Sequence, residues 1–155
     1  YESIGLLTSK VNAIFHRDSL PNMFASLLYI ELAPDTGHLK YVNAGHLPPV
    51  VLTAQGIRES AKGEQALGLI GSSTFTEQMA ELDRGDVFLG ISDGVTEARN
   101  EQGEFYGQER FQRLVPFLRN LGVAEIGQAI TADVDRFVGE ARANDDFSLV
   151  IIKRM

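Results

Sequence analysis

Two short acidic motifs carry the residues of this chain best suited to chemistry. Ile91-Ser92-Asp93-Gly94-Val95-Thr96-Glu97-Ala98 follows an apolar run, and Asn144-Asp145-Asp146-Phe147-Ser148 leads into another, Leu149-Val150-Ile151-Ile152. An Asp that ends one buried strand and an Asp that opens a second can meet at a single sheet edge, however far apart they stand in sequence. Carboxylates gathered there repel one another unless a cation lies between them, and Mg²⁺ and Mn²⁺ prefer such oxygen ligands. Taken singly, Asp93-Gly94 also reads as a turn and Asp145-Asp146 as a polar loop. Their placement at matching strand ends is what favours a cation.

The elements that must hold these motifs follow from periodicity. Ile4, Leu7, Val11, Ile14 and Phe15 fall on one helical face, and Pro21 lies in the segment that stops that helix. Met23 to Leu32 is apolar at both alternating sets of positions, which predicts a strand covered on two faces. Pro34-Asp35-Thr36-Gly37 predicts a turn and His38 to Ala44 the return strand of a hairpin. After Gly45-His46-Leu47-Pro48-Pro49 the chain continues as a third strand, Val50 to Leu52, closed by the turn Ala54-Gln55-Gly56. Lys62 to Ser73 reads as loop, and Phe75 to Leu82 as a strand ending at Asp83-Arg84-Gly85-Asp86. Val87 to Ile91 predicts a central strand, and Asn100 to Gly107 an exposed loop.

Two amphipathic helices come next. Phe111, Leu114, Val115, Leu118 and Leu121 mark one, with Pro116 bending it; Ile126, Ile130, Val134, Phe137 and Val138 mark the other. Gly122 between them is expected to cap the end of the first. Phe147 to Lys153 is the final strand. Strands joined by hairpins, with most of the helix late, predict an α+β fold with antiparallel sheet.

Composition narrows the function classes. A chain of 155 residues with 44% hydrophobic content suits one domain with a proper core. There is no Cys, which excludes disulfides and thiolate metal sites and agrees with a reducing compartment such as the cytoplasm. The net charge of −7, without any Lys/Arg block, argues against nucleic acid and anionic membranes as partners. No apolar run approaches the ~20 residues that span a bilayer.

Beyond the acidic motifs, Tyr41-Val42-Asn43-Ala44-Gly45-His46-Leu47-Pro48-Pro49, Ala66-Leu67-Gly68-Leu69, Gly85-Asp86 and Phe105-Tyr106-Gly107 with Glu109-Arg110-Phe111 recur in a telling order. Together with Ser92 to Ala98 and Asp145-Asp146, they resemble a SpoIIE-like serine phosphatase domain. This is the bacterial branch of the PPM-type metal-dependent phosphatases, related to protein phosphatase 2C. The resemblance runs over essentially the whole chain, residues 1–155 as a single domain, and corresponds to the C-terminal two thirds of the family's domain.

The resemblance implies an α-β-β-α sandwich of antiparallel sheets flanked by helices, with a two-metal site at one end of the sheets. It assigns metal-ligand roles to Asp93 and Asp145, with Mn²⁺ or Mg²⁺ as the cofactor, and places Asp146 just behind them. Asp93 and Asp145 are then expected roughly 4 to 7 Å apart across a shared cation or a metal pair. The implied activity is hydrolysis of phosphoserine or phosphothreonine in a bacterial signalling protein such as an anti-sigma-factor antagonist. The alternative is a catalytically inactive phosphatase-like module for regulatory protein–protein interaction. The family's opening motifs, a Gly-Asp strand and an Asp followed by Gly-His-Gly, do not precede the first helix, so the domain is expected to be N-terminally incomplete. Chain 1–155 alone is accordingly expected to hydrolyse slowly and to self-associate or pair with another chain through Met23 to Leu32 or the final strand.

Other residues invite chemistry but read differently. His46, in its Gly-His-Leu-Pro-Pro setting, is expected to shape a turn. His16 and His38 are expected at the surface. Glu97 either steadies the loop after Asp93 or lies near the metals. Arg99 and Arg110 are expected to be solvated charges, with approach to a phosphate as the other reading.

Overall fold

The computed structural model describes residues 3–141 and 147–155. In chain order its elements are α1 (Ile4–Asp18), β1 (Leu27–Ala33), β2 (His38–Ala44), β3 (Val50–Thr53), β4 (Gly56–Glu59), β5 (Gln78–Glu81), β6 (Val87–Ile91), α2 (Asp93–Thr96), α3 (Gln108–Leu114), a 3₁₀ turn at Val115–Phe117, α4 (Val123–Val138) and β7 (Leu149–Lys153). The fold is α+β, with antiparallel sheets and flanking helices. The chain forms two compact units, Tyr1–Pro48 with Ala61–Glu81, and Pro49–Ser60 with Leu82–Met155.

The first unit carries a three-stranded sheet in the order β1-β2-β5. The predicted hairpin is present, with Ala33 opposite His38 and Leu27 opposite Ala44. β1 starts later than the apolar run suggested and lies at the sheet edge. Tyr29 and Leu32 are exposed, as are Met23 and Phe24 before it, so the strand is not covered on both faces. β5 is likewise shorter than expected, although Phe75 and Leu82 on either side of it are buried. Ile4, Val42, Ala44, Leu67 and Phe75 form this unit's core, with Phe15 and Leu27 against it.

α1 corrects the sequence reading more sharply. Ser3 accepts a hydrogen bond from the Gly5 amide and starts the helix. The buried side is Ile4, Gly5, Thr8 and Asn12, whereas Leu7, Val11 and Ile14 face outward. A Cβ at Gly5 would strike the Phe75 carbonyl oxygen, so the helix approaches backbone to backbone there. Asn12 completes the docking. Its amide donates to the Ile70 and Gly71 carbonyls at 2.9 and 3.2 Å, and its oxygen accepts from the Gly68 N–H at 2.8 Å. Close approach and a satisfied buried amide outweigh the apolar stripe in orienting this helix.

The second unit carries a four-stranded sheet, β4-β3-β6-β7. β3 pairs with β4 and β6 and does not extend the first sheet. β4 is absent from the sequence reading because all four of its residues are exposed and leave no alternation to read. β6 is the central strand expected, buried at every residue. Ile126, Ile130 and Val134 bury the inner face of α4, each worth about 1.5–3 kcal/mol by area. Pro116 does more than bend α3: the α-helix stops at Leu114 and continues as a 3₁₀ turn. Gly122 serves the start of α4, where its N–H donates to the Glu125 carboxylate at 2.7 Å, and is not a C-terminal cap. Lys153 at the end of β7 donates to the Arg119 and Leu121 carbonyls at 2.8 and 2.7 Å, fixing the α3–α4 connection to the sheet.

Candidate functional site

The ladder between β6 and β7 runs from Val87 opposite Lys153 to Ile91 opposite Leu149. It extends one step further, because the Ser92 N–H donates to the Ser148 carbonyl at 3.0 Å and the Ser148 N–H donates to the Ser92 hydroxyl oxygen at 2.9 Å. Thus the end of β6 and the beginning of β7 close together at one sheet edge. Asp93 is the next residue along from this closure. Asp145 and Asp146 lie outside the described residues.

Asp93 opens α2, a single four-residue turn. Its carbonyl accepts from the Glu97 N–H at 2.8 Å and from the Thr96 hydroxyl at 3.1 Å, while Val95 is fully buried and anchors the turn. The Asp93 side chain is exposed, and no side chain among the described residues pairs with its carboxylate. Glu97 is exposed as well and contributes its backbone N–H to the turn, which agrees with the steadying role.

The chain after α2 forms a loop that folds back on it. The Tyr106 N–H donates to the Ala98 carbonyl at 2.8 Å and the Gly107 N–H to the Thr96 carbonyl at 2.9 Å. Within the loop, Arg99 lies 4.1 Å from the centre of the Phe105 ring. Arg110 is not simply solvated. Its Nε donates to Asp133 Oδ2 at 3.1 Å and its Nη2 to Oδ1 at 3.4 Å, and the Tyr106 hydroxyl donates to the same Oδ2 at 2.7 Å. Arg110 hydrogen bonding holds the Asp133 carboxyl below its ordinary range despite partial burial. Burial, with the Asp133 carboxylate beside it, pushes the Tyr106 phenol well above its ordinary value. Tyr106 and Arg110 belong to motifs quoted from the sequence, but Asp133 carries no motif of its own; its one signal is an Asp flanking the Ile130–Val134–Phe137 stripe of a helix.

The histidines hold no shared centre. His46 sits in a turn built by the buried Asn43, whose oxygen accepts from the His46 N–H at 2.9 Å and whose amide donates to the His46 and Leu47 carbonyls at 3.1 and 3.2 Å. Gly45 within that turn has φ +87°, and a Cβ there would crowd Ala66. His16 contacts the Gly68 carbonyl through Nδ1 at 2.6 Å, and His38 lies 3.6 Å from Glu81. Both are exposed, as expected.

The family model of stage II sporulation protein E, SpoIIE, matches residues 2–155. The chain belongs to the SpoIIE family. It is similar to Protein IcfG of Synechocystis sp., 38% identical over 105 residues covering 67% of this chain and 16% of that protein. It is also similar to phosphoserine phosphatase RsbU of Bacillus subtilis, 25% identical over 147 residues covering 93% of this chain and 43% of RsbU. The chain therefore spans less than half the length of either relative. Its fold is that of the PP2C phosphatase domain solved with a fragment of the regulatory domain of Bacillus subtilis SpoIIE, with a TM-score of 0.76 at 16% identity over 97% of this chain and 44% of that one. The catalytic domain of the serine threonine protein phosphatase PstP, solved with two manganese ions, shares the fold with a TM-score of 0.64 at 19% identity, covering 92% of this chain and 64% of that one.

The exposed Asp93 carboxylate is a hard oxygen donor of the kind divalent cations prefer, and among the described residues no basic side chain pairs with it. Among the described residues no three His, Asp or Glu side chains gather around a common point, at Asp93 or elsewhere. Among these residues, too, no helix is long and apolar enough to cross a membrane.

Proposed function

We propose that the chain, as a single domain over residues 1–155, is the catalytic part of a cytoplasmic metal-dependent serine/threonine protein phosphatase. Asp93 and Asp145 act as carboxylate ligands to Mn²⁺ or Mg²⁺, and the substrate is a phosphorylated signalling protein of the anti-sigma-factor-antagonist class. The observation that carries this reading is the Ser92–Ser148 closure, which brings the residue after β6 and the chain just before β7 to one sheet edge. The similarity to RsbU, a phosphoserine phosphatase, supports the reaction class. The solved PstP domain with two manganese ions supports the cation.

In this reading the chain's residues have defined work. The Asp93 carboxylate offers an oxygen donor and negative charge, and the buried Val95 with the Thr96 and Glu97 hydrogen bonds fixes the turn that carries it. When bound, a divalent cation supplies a water acidic enough to act as hydroxide near neutral pH and neutralises charge on the phosphoryl oxygens. No side-chain nucleophile is required, in keeping with a chain that has no Cys.

The direct test is hydrolysis of a phosphoserine peptide by the protein with Mn²⁺ supplied. Asp93→Asn keeps the side-chain shape and removes its charge, and the turnover is expected to fall by about two orders of magnitude or more. Turnover unchanged in Asp93→Asn contradicts the proposed metal chemistry. Binding of the phosphoprotein without any hydrolysis by the wild type would instead establish the regulatory interaction module.

A further inference from the structure

We infer that Asp133, together with Arg110 and Tyr106, forms a positioning unit for Asp93: it clamps the chain that follows α2 onto α4 and thereby fixes the turn that presents the Asp93 carboxylate. The inference rests on the reading of Asp93 as a cation ligand.

A helix of one turn has almost no stability of its own, since its nucleation cost is never recovered by elongation. α2 therefore needs support from outside, and the hydrogen bonds trace where it comes from. Thr96 is bound on both sides: its hydroxyl donates to the Asp93 carbonyl, and its own carbonyl accepts from the Gly107 N–H. Ala98 accepts from the Tyr106 N–H. Tyr106 and Gly107 are thus the residues that hold α2 closed from behind. Gly107 has φ +80°, a conformation that a side chain would strain, and α3 starts at the next residue.

Tyr106 is itself fixed by α4. It is buried, its hydroxyl donates to Asp133 at 2.7 Å, and its ring meets the Phe137 ring edge-on at 5.5 Å between centroids. The Arg110 guanidinium lies 4.8 and 5.2 Å from the Phe137 and Tyr106 ring centres while it forks onto Asp133. Arg136 adds a third donor to the same carboxylate at 3.3 Å. A second staple holds the far end of the loop, where the Glu101 carboxylate accepts the Glu140 N–H at 3.1 Å just past α4. One Asp on a long helix anchored by Ile126, Ile130 and Val134 thus gathers three donors, two of them from the segment that closes α2. Support of this kind behind a metal ligand commonly changes cation affinity by about 10–100-fold when removed.

The test compares Tyr106→Phe, which deletes only the hydroxyl, and Asp133→Asn with Arg119→Gln, which breaks the Asp86 ion pair among the residues flanking the opposite end of β6. Amide exchange is followed by NMR on the metal-free chain. Exchange at Val95, Glu97, Tyr106 and Gly107 is expected to speed up by about tenfold or more in the first two variants, with β6 unaffected, and not selectively in Arg119→Gln. Exchange at these four amides that is unchanged, or faster only in step with the whole unit, overturns the positioning role. Mn²⁺ titration of the same proteins is expected to show affinity weakened roughly tenfold or more in Tyr106→Phe and Asp133→Asn, but not in Arg119→Gln at equal loss of thermal stability. Affinity lost equally in all three overturns the inference as well. Affinity indifferent to Asp93→Asn would fell the ligand reading, and the exchange data would still decide whether Asp133 sets the turn.

Discussion

At the scale of single residues, the account turns on a contrast between two aspartates. Asp93 is exposed and has no paired cation among the described side chains, whereas Asp133 is half-buried and bound by Arg110, Arg136 and Tyr106. The second is a stability group with a predictable pH signature. Its folded pKa is depressed, chiefly by the Arg110 hydrogen bond, so its contribution is fully present above the ordinary carboxyl value of about 3.9. It is lost as pH falls through the lower folded value. Acid unfolding followed by circular dichroism should therefore begin at higher pH for wild type relative to its neutral stability than for Asp133→Asn, whose stability should be lower at neutral pH and flatter below pH ~4. An identical acid profile for the two proteins would contradict the assignment. Asp93→Asn has the opposite expectation under the proposed pairing of Asp93 with Asp145: with carboxylate repulsion relieved, its unfolding midpoint without metal should equal or exceed that of wild type.

At the scale of elements, sheet edges and helix faces separate what the sequence makes legible from what it does not. The hairpin of β1 and β2, the central β6 and the inner face of α4 follow from periodicity and turn residues, because there the apolar side chains do the packing. Ile130→Ala should accordingly cost about 2–5 kcal/mol in denaturant unfolding, and a loss below 1 kcal/mol would show that α4 is not packed as described. α1 escapes the same logic. Gly5, Thr8 and Asn12 dock it by close approach and hydrogen bonding, which no hydrophobic pattern reveals, and its Leu7–Val11–Ile14 stripe turns outward. β4 escapes it for want of any buried residue, and β1 is shorter than its apolar run because the flanking Met23 and Phe24 are apolar but exposed. The outward stripe has a consequence. Dynamic light scattering should show association of the chain that Val11→Glu reduces, through exposed apolar surface and open strand edges. Identical particle sizes for the two proteins would contradict it.

At the scale of the whole molecule, membership of the SpoIIE family and the PP2C fold follow from motifs distributed along the chain and read in order. The site was only half legible. Asp93 stands where its motif required, after a buried strand whose end closes against β7 through Ser92 and Ser148. Tyr106 and Arg110 stand in legible motifs, but their meeting with Asp133 is not legible, because the three converge only when the loop after α2 folds back to α4. The central claim remains that Asp93 and Asp145 hold one divalent cation at this edge. Mn²⁺ titration of wild type, Asp93→Asn and Asp145→Asn, monitored by calorimetry, tests it most directly. The account predicts measurable binding by wild type, weakened by about tenfold or more in each single variant and no weaker in the double variant than loss of one common site allows. Mn²⁺ affinity that is the same in all of these proteins would contradict it.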